Sequence, residues 1–293
     1  MILVTGATGT NGREVVRLLS ARGAAVRAFV RNESKAEPLA SLPGVEIAVG
    51  DMARKETVVA AMKGVDRAML ISSSTPDMLD VQSTFIEAAK AAGVRHVVKL
   101  SGIIPELDSP FRFARMHAEI EKRLEDSGLD YTQLRAGEFM TAYFRQAQSV
   151  ATRGVLALAM ADARIASVDV VDVARVATVV LTSPGHEGKI YALTGPESLS
   201  MSEVADRLSA AIGRPVRYVP VDPEEANRAR LAAGMPPYLA EGLDELFAER
   251  RKGKEAKVWP TIEEVFGWRP TSFAEFAKRN AAIFRGEEPA PKV

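Results

Sequence analysis

An α/β fold is what the sequence predicts: a Rossmann-type doubly wound parallel sheet with a smaller, helix-rich C-terminal lobe. Three observations carry this expectation. Short apolar runs alternate with amphipathic helical patterns through the first half of the chain. A glycine triplet with GxxGxxG spacing sits between the first run and the first helical pattern. In the second half the apolar runs thin out and helix-start signatures multiply.

The runs are Ile2 to Thr5, Ala25 to Val30, Val45 to Val49, Ala68 to Ile71, His96 to Leu100 and Tyr131 to Arg135. Their apolarity is nearly unbroken rather than alternating, as in strands buried on both faces by covering helices. The clearest helical stripe between them holds Val81, Phe85, Ala88, Ala89 and Ala92. Thr75-Pro76-Asp77 suits its start, with a cap, a first-turn proline and an early acid. Repeated strand–helix–strand order predicts a doubly wound sheet. Further on, Ser200-x-x-Glu203, Asp222-x-x-Glu225, Thr261-x-x-Glu264 and Ser272-x-x-Glu275 read as capping boxes. Gly234-Met235-Pro236-Pro237 reads as a loop, and Arg250-Arg251-Lys252-Gly253-Lys254 as a solvated loop after a helix, with an anion patch as the alternative. With 293 residues, two lobes are expected, residues 1–153 and 154–293.

Composition narrows the function classes. The formal net charge is zero, which supplies no electrostatic reason to expect nucleic acid or an anionic membrane as partner. The absence of cysteine removes disulfides, thiol nucleophiles and thiolate metal sites. Three scattered histidines offer no zinc spacing, and no Gly-x-Ser-x-Gly elbow occurs. Met1 opens directly onto a strand without a basic leader, and no apolar run is long enough to span a bilayer. A cytoplasmic protein is expected, a monomer or homodimer.

Val4-Thr5-Gly6-Ala7-Thr8-Gly9-Thr10-Asn11-Gly12 lies directly after a strand and directly before a helix. In that context Gly6 permits a tight turn, Gly9 lets the backbone approach a pyrophosphate, and Gly12 allows close helix packing. The amides of Thr10, Asn11 and Gly12 then face the anion with the helix dipole behind them. Thr8 lies in the same loop. A dinucleotide cofactor follows. Its type is read at the end of the second strand, where an acid would bind a ribose 2′-hydroxyl. Here Ala28-Phe29-Val30-Arg31-Asn32 has none. Arg31 suits a 2′-phosphate, with Lys35 one turn later, so NADP(H) is expected. Both can also be ordinary surface cations. Asp51, with Met52 beside it, follows the third strand and can accept from an adenine amino group. Ser72, Ser73 and Ser74 follow the fourth, where a ligand crossing the strand ends would lie.

The chain resembles the NmrA-like branch of the atypical short-chain dehydrogenases. That group includes NADPH-dependent quinone reductases, azoreductases and triphenylmethane reductase. The resemblance rests on MILVTGATGTNGREVVRLL, VRAFVRN, Gly50-Asp51, HVVKLSG, HAEIEKRLEDSGLDYTQLRAGEFM, DVVDVARVA, YALTGPESLS and TSFAEFAKRNAAIF, and so covers nearly the whole chain. It implies cofactor contacts at Gly6, Thr8, Gly9, Thr10, Asn11, Gly12, Arg31, Asp51 and the Ser72 region. Ala136 departs from a frequent proline and Ala142 from a frequent asparagine, both beside the substrate mouth that the resemblance implies.

Carbonyl-reducing members of the wider superfamily use Tyr-x-x-x-Lys. None of Tyr131, Tyr143, Tyr191, Tyr218 and Tyr238 has lysine four residues later. The acceptor must therefore need less acid help, or find another donor. A quinone, azo bond or conjugated cation meets the first condition, because charge delocalises over the product. His117 falls where related isoflavone-type reductases carry lysine. It is either a proton donor or a ring packed beside the cofactor. Ser101 resembles the family's serine near the nicotinamide and can bind a substrate oxygen or cap the following turn. Tyr143 and Phe144 form either an aromatic pocket wall or core packing, and Arg135 and Glu138 are candidates to pair. His96 is read as structural and His186 as exposed. The expectation is an NADPH-dependent reductase acting on a small-molecule hydride acceptor. The alternative is a non-catalytic NADP(H)-sensing regulator acting through a protein partner.

Overall fold

The six apolar runs of the first half each become a strand in the computed structural model, which describes residues 1–291. They are β1 (Ile2–Val4), β2 (Val26–Val30), β3 (Val45–Val49), β4 (Arg67–Leu70), β5 (His96–Gly102) and β6 (Asp130–Ala136). Between them in turn lie α1 (Thr10–Ala21), α2 (Glu37–Ala40), α3 (Lys55–Ala61), α4 (Met78–Ala91) and α5 (Arg112–Asp126). After β6 come α6 (Ala147–Arg153), β7 (Val155–Leu158), β8 (Arg164–Ile165), α7 (Val170–Thr182) and β9 (Lys189–Leu193). The chain continues with β10 (Leu199–Ser200), α8 (Met201–Ile212), β11 (Arg217–Pro220), α9 (Pro223–Ala232) and α10 (Pro237–Arg251). It ends with α11 (Thr261–Phe266), α12 (Phe273–Arg279) and α13 (Ala281–Arg285).

Two compact units result. The first comprises Met1–Ser109, Phe113–Arg135 and Val170–Ala192; the second comprises Pro110–Arg112, Ala136–Asp169 and Leu193–Val293. In the first unit a seven-stranded sheet runs in the order β3-β2-β1-β4-β5-β6-β9. β1 pairs in parallel with β2 (Leu3 opposite Arg27) and with β4 (Leu3 opposite Ala68), and β4 pairs in parallel with β5 (Met69 opposite Val98). The strand order reverses between β1 and β4, which opens a crevice beyond their carboxyl ends. Leu3, Phe29, Ala68, Leu70 and Val97 of the sheet pack against Val58 and Ala61 of α3, Phe85 and Ala89 of α4, and Ile120 and Leu124 of α5. Each leucine, isoleucine, valine and phenylalanine among them contributes about 1.5–3 kcal/mol over its exposed state. α1 packs against α7 outside that cluster.

The second unit has a core of its own. Tyr143, Phe144, Val150, Leu156, Leu208, Phe273, Phe276 and Phe284 gather there, with Tyr143 and Phe273 edge to face at 5.0 Å between ring centroids. β8 pairs antiparallel with β10, and β7 pairs in parallel with β11. Ser200 and Ser272 each close a full capping box, and Asp222 accepts from the amides of Glu224 and Glu225. No helix among the described residues is long and apolar enough to cross a membrane.

Several local expectations need correction. β3 lies at the sheet edge, so it is only half-buried and Val49 is 54% exposed, unlike a strand covered on both faces. α4 begins at Met78 with Asp77 at its cap position and no side-chain cap bond, and it ends before Ala92, which is exposed. Thr261 is the first residue of α11, following Pro260, and its side chain caps nothing. The basic run is not wholly solvated: Arg250 and Arg251 close α10, and Arg250 is buried between the carboxylates of Glu138 and Glu255.

Candidate functional site

The glycine loop is built by close approach. Thr5 is buried at the end of β1, and its hydroxyl donates to the Ile71 carbonyl at 2.7 Å and accepts from the Ile71 amide at 2.8 Å. That clasp fixes the loop against the end of β4. Gly6 follows with φ +58°, a conformation that side chains disfavour. The chain returns so that the Gly9 amide donates to the Gly6 carbonyl at 2.9 Å. α1 then starts with Gly9 at its cap position, with no side-chain cap and no acid in its first turn. Its leading amides are thus free to meet an anion from outside, favoured by the helix dipole. Gly9 and Thr10 are exposed, Thr8 is half-buried, and the Asn11 Oδ1 is buried without a partner.

The neighbouring strand ends add to this edge. Because β1 to β5 pair in parallel, the loops that follow them emerge at one edge of the sheet. Arg31 is exposed just past β2, as is Lys35 in the short turn after it. Gly50 donates from its amide to the Val30 carbonyl at 2.9 Å, which draws the end of β3 beside the end of β2. Asp51 is held there by the Thr57 hydroxyl, which donates to its carbonyl at 2.8 Å and accepts from its amide at 3.0 Å. Met52 is half-buried against the core. After β4, Ser72 accepts a hydrogen bond from the Gln82 amide at 2.8 Å, and Ser73 and Ser74 are exposed.

β5 and α5 supply the rest. Val97, Lys99 and Ser101 alternate onto one face of β5, the face that α5 covers through Ile120 and Leu124. On α5, Phe113, His117, Ile120, Glu121 and Leu124 follow helical spacing, so His117 stands on the buried stripe. Its Nδ1 lies 2.9 Å from the Lys99 amino nitrogen. Its opposite ring edge lies over Gly102: a Cβ built there would be 3.3 Å from Cδ2 and 3.9 Å from Nε2. Burial, with Lys99 as a second cause, holds the imidazole well below its ordinary range and so neutral. Burial pushes the Lys99 amine down to about 7; Glu121 opposes this and Arg135 adds to it. The Ser101 hydroxyl is buried without a partner, so it does not cap the following turn. An unpartnered hydroxyl on this face is free to bind a ligand oxygen or nitrogen.

Sequence reasoning missed Lys99. The signal was present: a lysine inside a run predicted to be buried on both faces is an anomaly. Other candidates fall elsewhere. Arg135 pairs with Glu121 at 2.6 Å, and Glu138 with Arg250, so Arg135 and Glu138 do not pair with each other. Tyr143 and Phe144 are core residues of the second unit. His96 is buried, with Nε2 2.8 Å from the Thr132 hydroxyl. His186 is half-buried rather than exposed, with Nδ1 2.9 Å from the Tyr191 hydroxyl. No group of three or more metal-ligating side chains exists among the described residues.

Known proteins are similar to this chain in sequence and fold. The model of the NmrA-like family matches residues 1–277. An NAD(P)H azoreductase from Xenophilus azovorans is 40% identical over 284 residues, covering 97% of this chain and 99% of that protein. Among solved structures, an NADPH-dependent quinone oxidoreductase from Escherichia coli complexed with NADPH superposes with a TM-score of 0.87 at 32% identity, covering 95% of this chain and 99% of that one. The Citrobacter sp. triphenylmethane reductase complexed with NADP(H) gives a TM-score of 0.84 at 28% identity, covering 96% of this chain and 100% of that one.

Proposed function

This chain belongs to the NmrA-like family, and from that premise we propose that it is an NADPH-dependent reductase of quinone-like, azo or other conjugated small molecules. The observation that carries this is the uncapped start of α1, clasped at the switch point of a parallel sheet beside a carboxyl edge that also bears Arg31 and the buried, unpartnered Ser101 hydroxyl.

Each residue has a part. The amides of Thr10, Asn11 and Gly12, with the loop from Gly6 through Thr8 and Gly9, hold the pyrophosphate. Asn11 brings a buried oxygen that awaits a donor. Arg31, assisted by Lys35, takes the 2′-phosphate, and Asp51 and Met52 flank the adenine. Ser72, Ser73 and Ser74 border the path across the strand ends. When bound, the cofactor supplies hydride from nicotinamide C4. Ser101 orients the acceptor through its free hydroxyl. His117 supplies the proton, since no tyrosine is followed at four residues by lysine. The enzyme is therefore of the atypical kind within its superfamily, suited to acceptors that take hydride readily.

The test is NADPH consumption by the purified protein with a panel of quinones, azo dyes and cationic dyes, beside a Gly9→Asp variant. Consumption that requires acceptor and vanishes in the variant is the expected result. No consumption with any acceptor, together with tight binding of both NADP⁺ and NADPH, would replace the reductase with a cofactor-sensing regulator.

A further inference from the structure

Lys99 is fully buried in β5, between Val98 and Leu100. A buried ammonium is costly unless a carboxylate neutralises it. The nearby carboxylate, Glu121, is already engaged: Arg135 holds it through Nε at 3.2 Å to each oxygen and through Nη2 at 2.6 Å. The Lys99 amine instead faces the His117 Nδ1 at 2.9 Å and, more weakly, the Leu100 carbonyl at 3.4 Å. A methionine would fill the same space without the desolvation cost. The pairing of an amine with a neutral imidazole is thus not explained by stability.

Its geometry has a direction. With Nδ1 turned to Lys99, the His117 ring presents its Nε2 edge toward Gly102, the last residue of β5. Ser101, one residue before, shares the strand face of Lys99. Contacts thus run from the Lys99 amine through the imidazole to the carboxyl end of β5. Building on the reductase assignment above, we propose that Lys99 is a positioning and proton-feeding residue: its ammonium donates to His117 Nδ1, fixes the Nε2–H tautomer, and replaces the proton that His117 gives to the reduced acceptor.

The step balances. A two-electron acceptor takes up one hydride and one proton, and both electrons arrive with the hydride. The His117 Nε2–H bond breaks as an O–H or N–H bond forms on the acceptor. A Lys99 Nζ–H bond breaks as Nδ1–H forms, leaving a neutral amine and a neutral imidazole. A solvent proton entering at Nε2, with return of the Nδ1 proton to Lys99, restores the starting state. The depressed affinity of Lys99 for protons, near 7, suits a group that must give one up and recover it at neutral pH. The charged groups around the pair are Glu121 on α5 and Arg135 on β6, which are bound to each other and do not take the proton.

The test reads the imidazole itself, without cofactor. ¹⁵N spectra of the full chain are recorded across pH 5.5–9 for wild type, Lys99→Met and Lys99→Arg. In wild type, Nδ1 is expected unprotonated and Nε2 protonated below pH 7, with the tautomer balance shifting near pH 7 while the ring stays neutral. Lys99→Met should abolish the shift, and Lys99→Arg should hold Nδ1 as acceptor throughout. Protonated Nδ1 below pH 7 in wild type, or His117 signals that ignore Lys99→Met, would overturn the relay. In turnover, Lys99→Met should lower kcat on the order of 10²-fold, the low end of general-acid effects, and remove its decline above pH 7 while NADPH affinity holds. Coupled tautomers with no turnover of any acceptor overturn the reductase assignment; turnover with uncoupled tautomers overturns the relay alone.

Discussion

A Cβ on Gly12 would stand 2.3 Å from the carbonyl oxygen of Gly6 and 2.8 Å from the Cα of Ala7. Both neighbours are backbone, and the Thr5 clasp on Ile71 keeps the loop from yielding. Even one methyl group must therefore displace α1 or the loop. Gly12→Ala is expected to cost about 1–3 kcal/mol, the range for overpacking a tight contact. Urea unfolding checks this, and an unchanged midpoint would show that the loop is softer than its contacts imply.

Gly9 behaves oppositely. Its φ −78° and ψ 171° are open to any residue, and its own Cβ would meet only the Gly6 carbonyl, at 3.2 Å. An aspartate there takes up the N-cap role that α1 lacks, so Gly9→Asp should leave stability equal or a few tenths of a kcal/mol higher. The same carboxylate occupies the anion seat. NADPH affinity is expected to fall about 10²-fold or more, since juxtaposed like charges cost several kcal/mol. Calorimetric titration beside a melting curve separates the two effects, and loss of folding would invalidate the variant as a control.

Arg31 is exposed past β2, and no acid stands beside it before Glu33. Truncation should remove only the charge-assisted bonds to a 2′-phosphate, worth about 1.5–3 kcal/mol or roughly 10- to 150-fold in affinity. Arg31→Ala is thus expected to weaken NADPH by that factor and leave NADH unchanged. Equal losses for the two cofactors would remove Arg31 from the phosphate site.

The parts of this molecule that were legible in the sequence share one property: their partners are near in the chain or set by the strand order. The boxes at Ser200 and Ser272 depend on neighbours a few residues away, and the glycine loop and the strands announce themselves in local runs whose partners the strand order supplies. Arg250 shows the limit. Five consecutive residues that include four cations read as solvated, yet its partner Glu138 lies 112 residues earlier, a distance that no local pattern reports. β3 shows another limit, because apolarity does not distinguish a central strand from an edge strand. Lys99 and His117 lie 18 residues apart, on a strand and a helix, and only the packing of α5 on β5 brings them together.

Arg250 also makes a stability prediction for the second unit. Its guanidinium joins Glu138 and Glu255, and its side chain is 5% exposed against 7% for that of Glu255. Removing it leaves two carboxylates facing each other without a cation. Arg250→Ala is expected to destabilise by about 3–5 kcal/mol at neutral pH, as breaking buried pairs does. Adding Glu255→Gln should recover part of that loss, and strictly additive losses would show that the three groups do not act as a unit.

The burial of Lys99 carries a pH signature that is independent of catalysis. Its amine binds protons with a value near 7 in the folded chain against an ordinary 10.5. Above that ordinary value both states hold a neutral amine. As pH falls from about 10.5 to 7 the unfolded chain takes up a proton and the folded chain does not, so wild type loses stability, by at most about 1.4 kcal/mol per pH unit. Below 7 both states are protonated and this contribution is constant. Lys99→Met has no such slope. The variant should therefore gain on wild type by a few kcal/mol between pH 10 and pH 7, in urea melts at matched ionic strength. His117, whose folded value is also lowered, adds its own loss only below its ordinary 6.5, outside that window. A difference between the two proteins that stays flat from pH 7 to pH 10 would mean that the folded chain accommodates the ammonium without cost. Lys99 would then remain charged throughout and could not give up a proton to His117 at neutral pH.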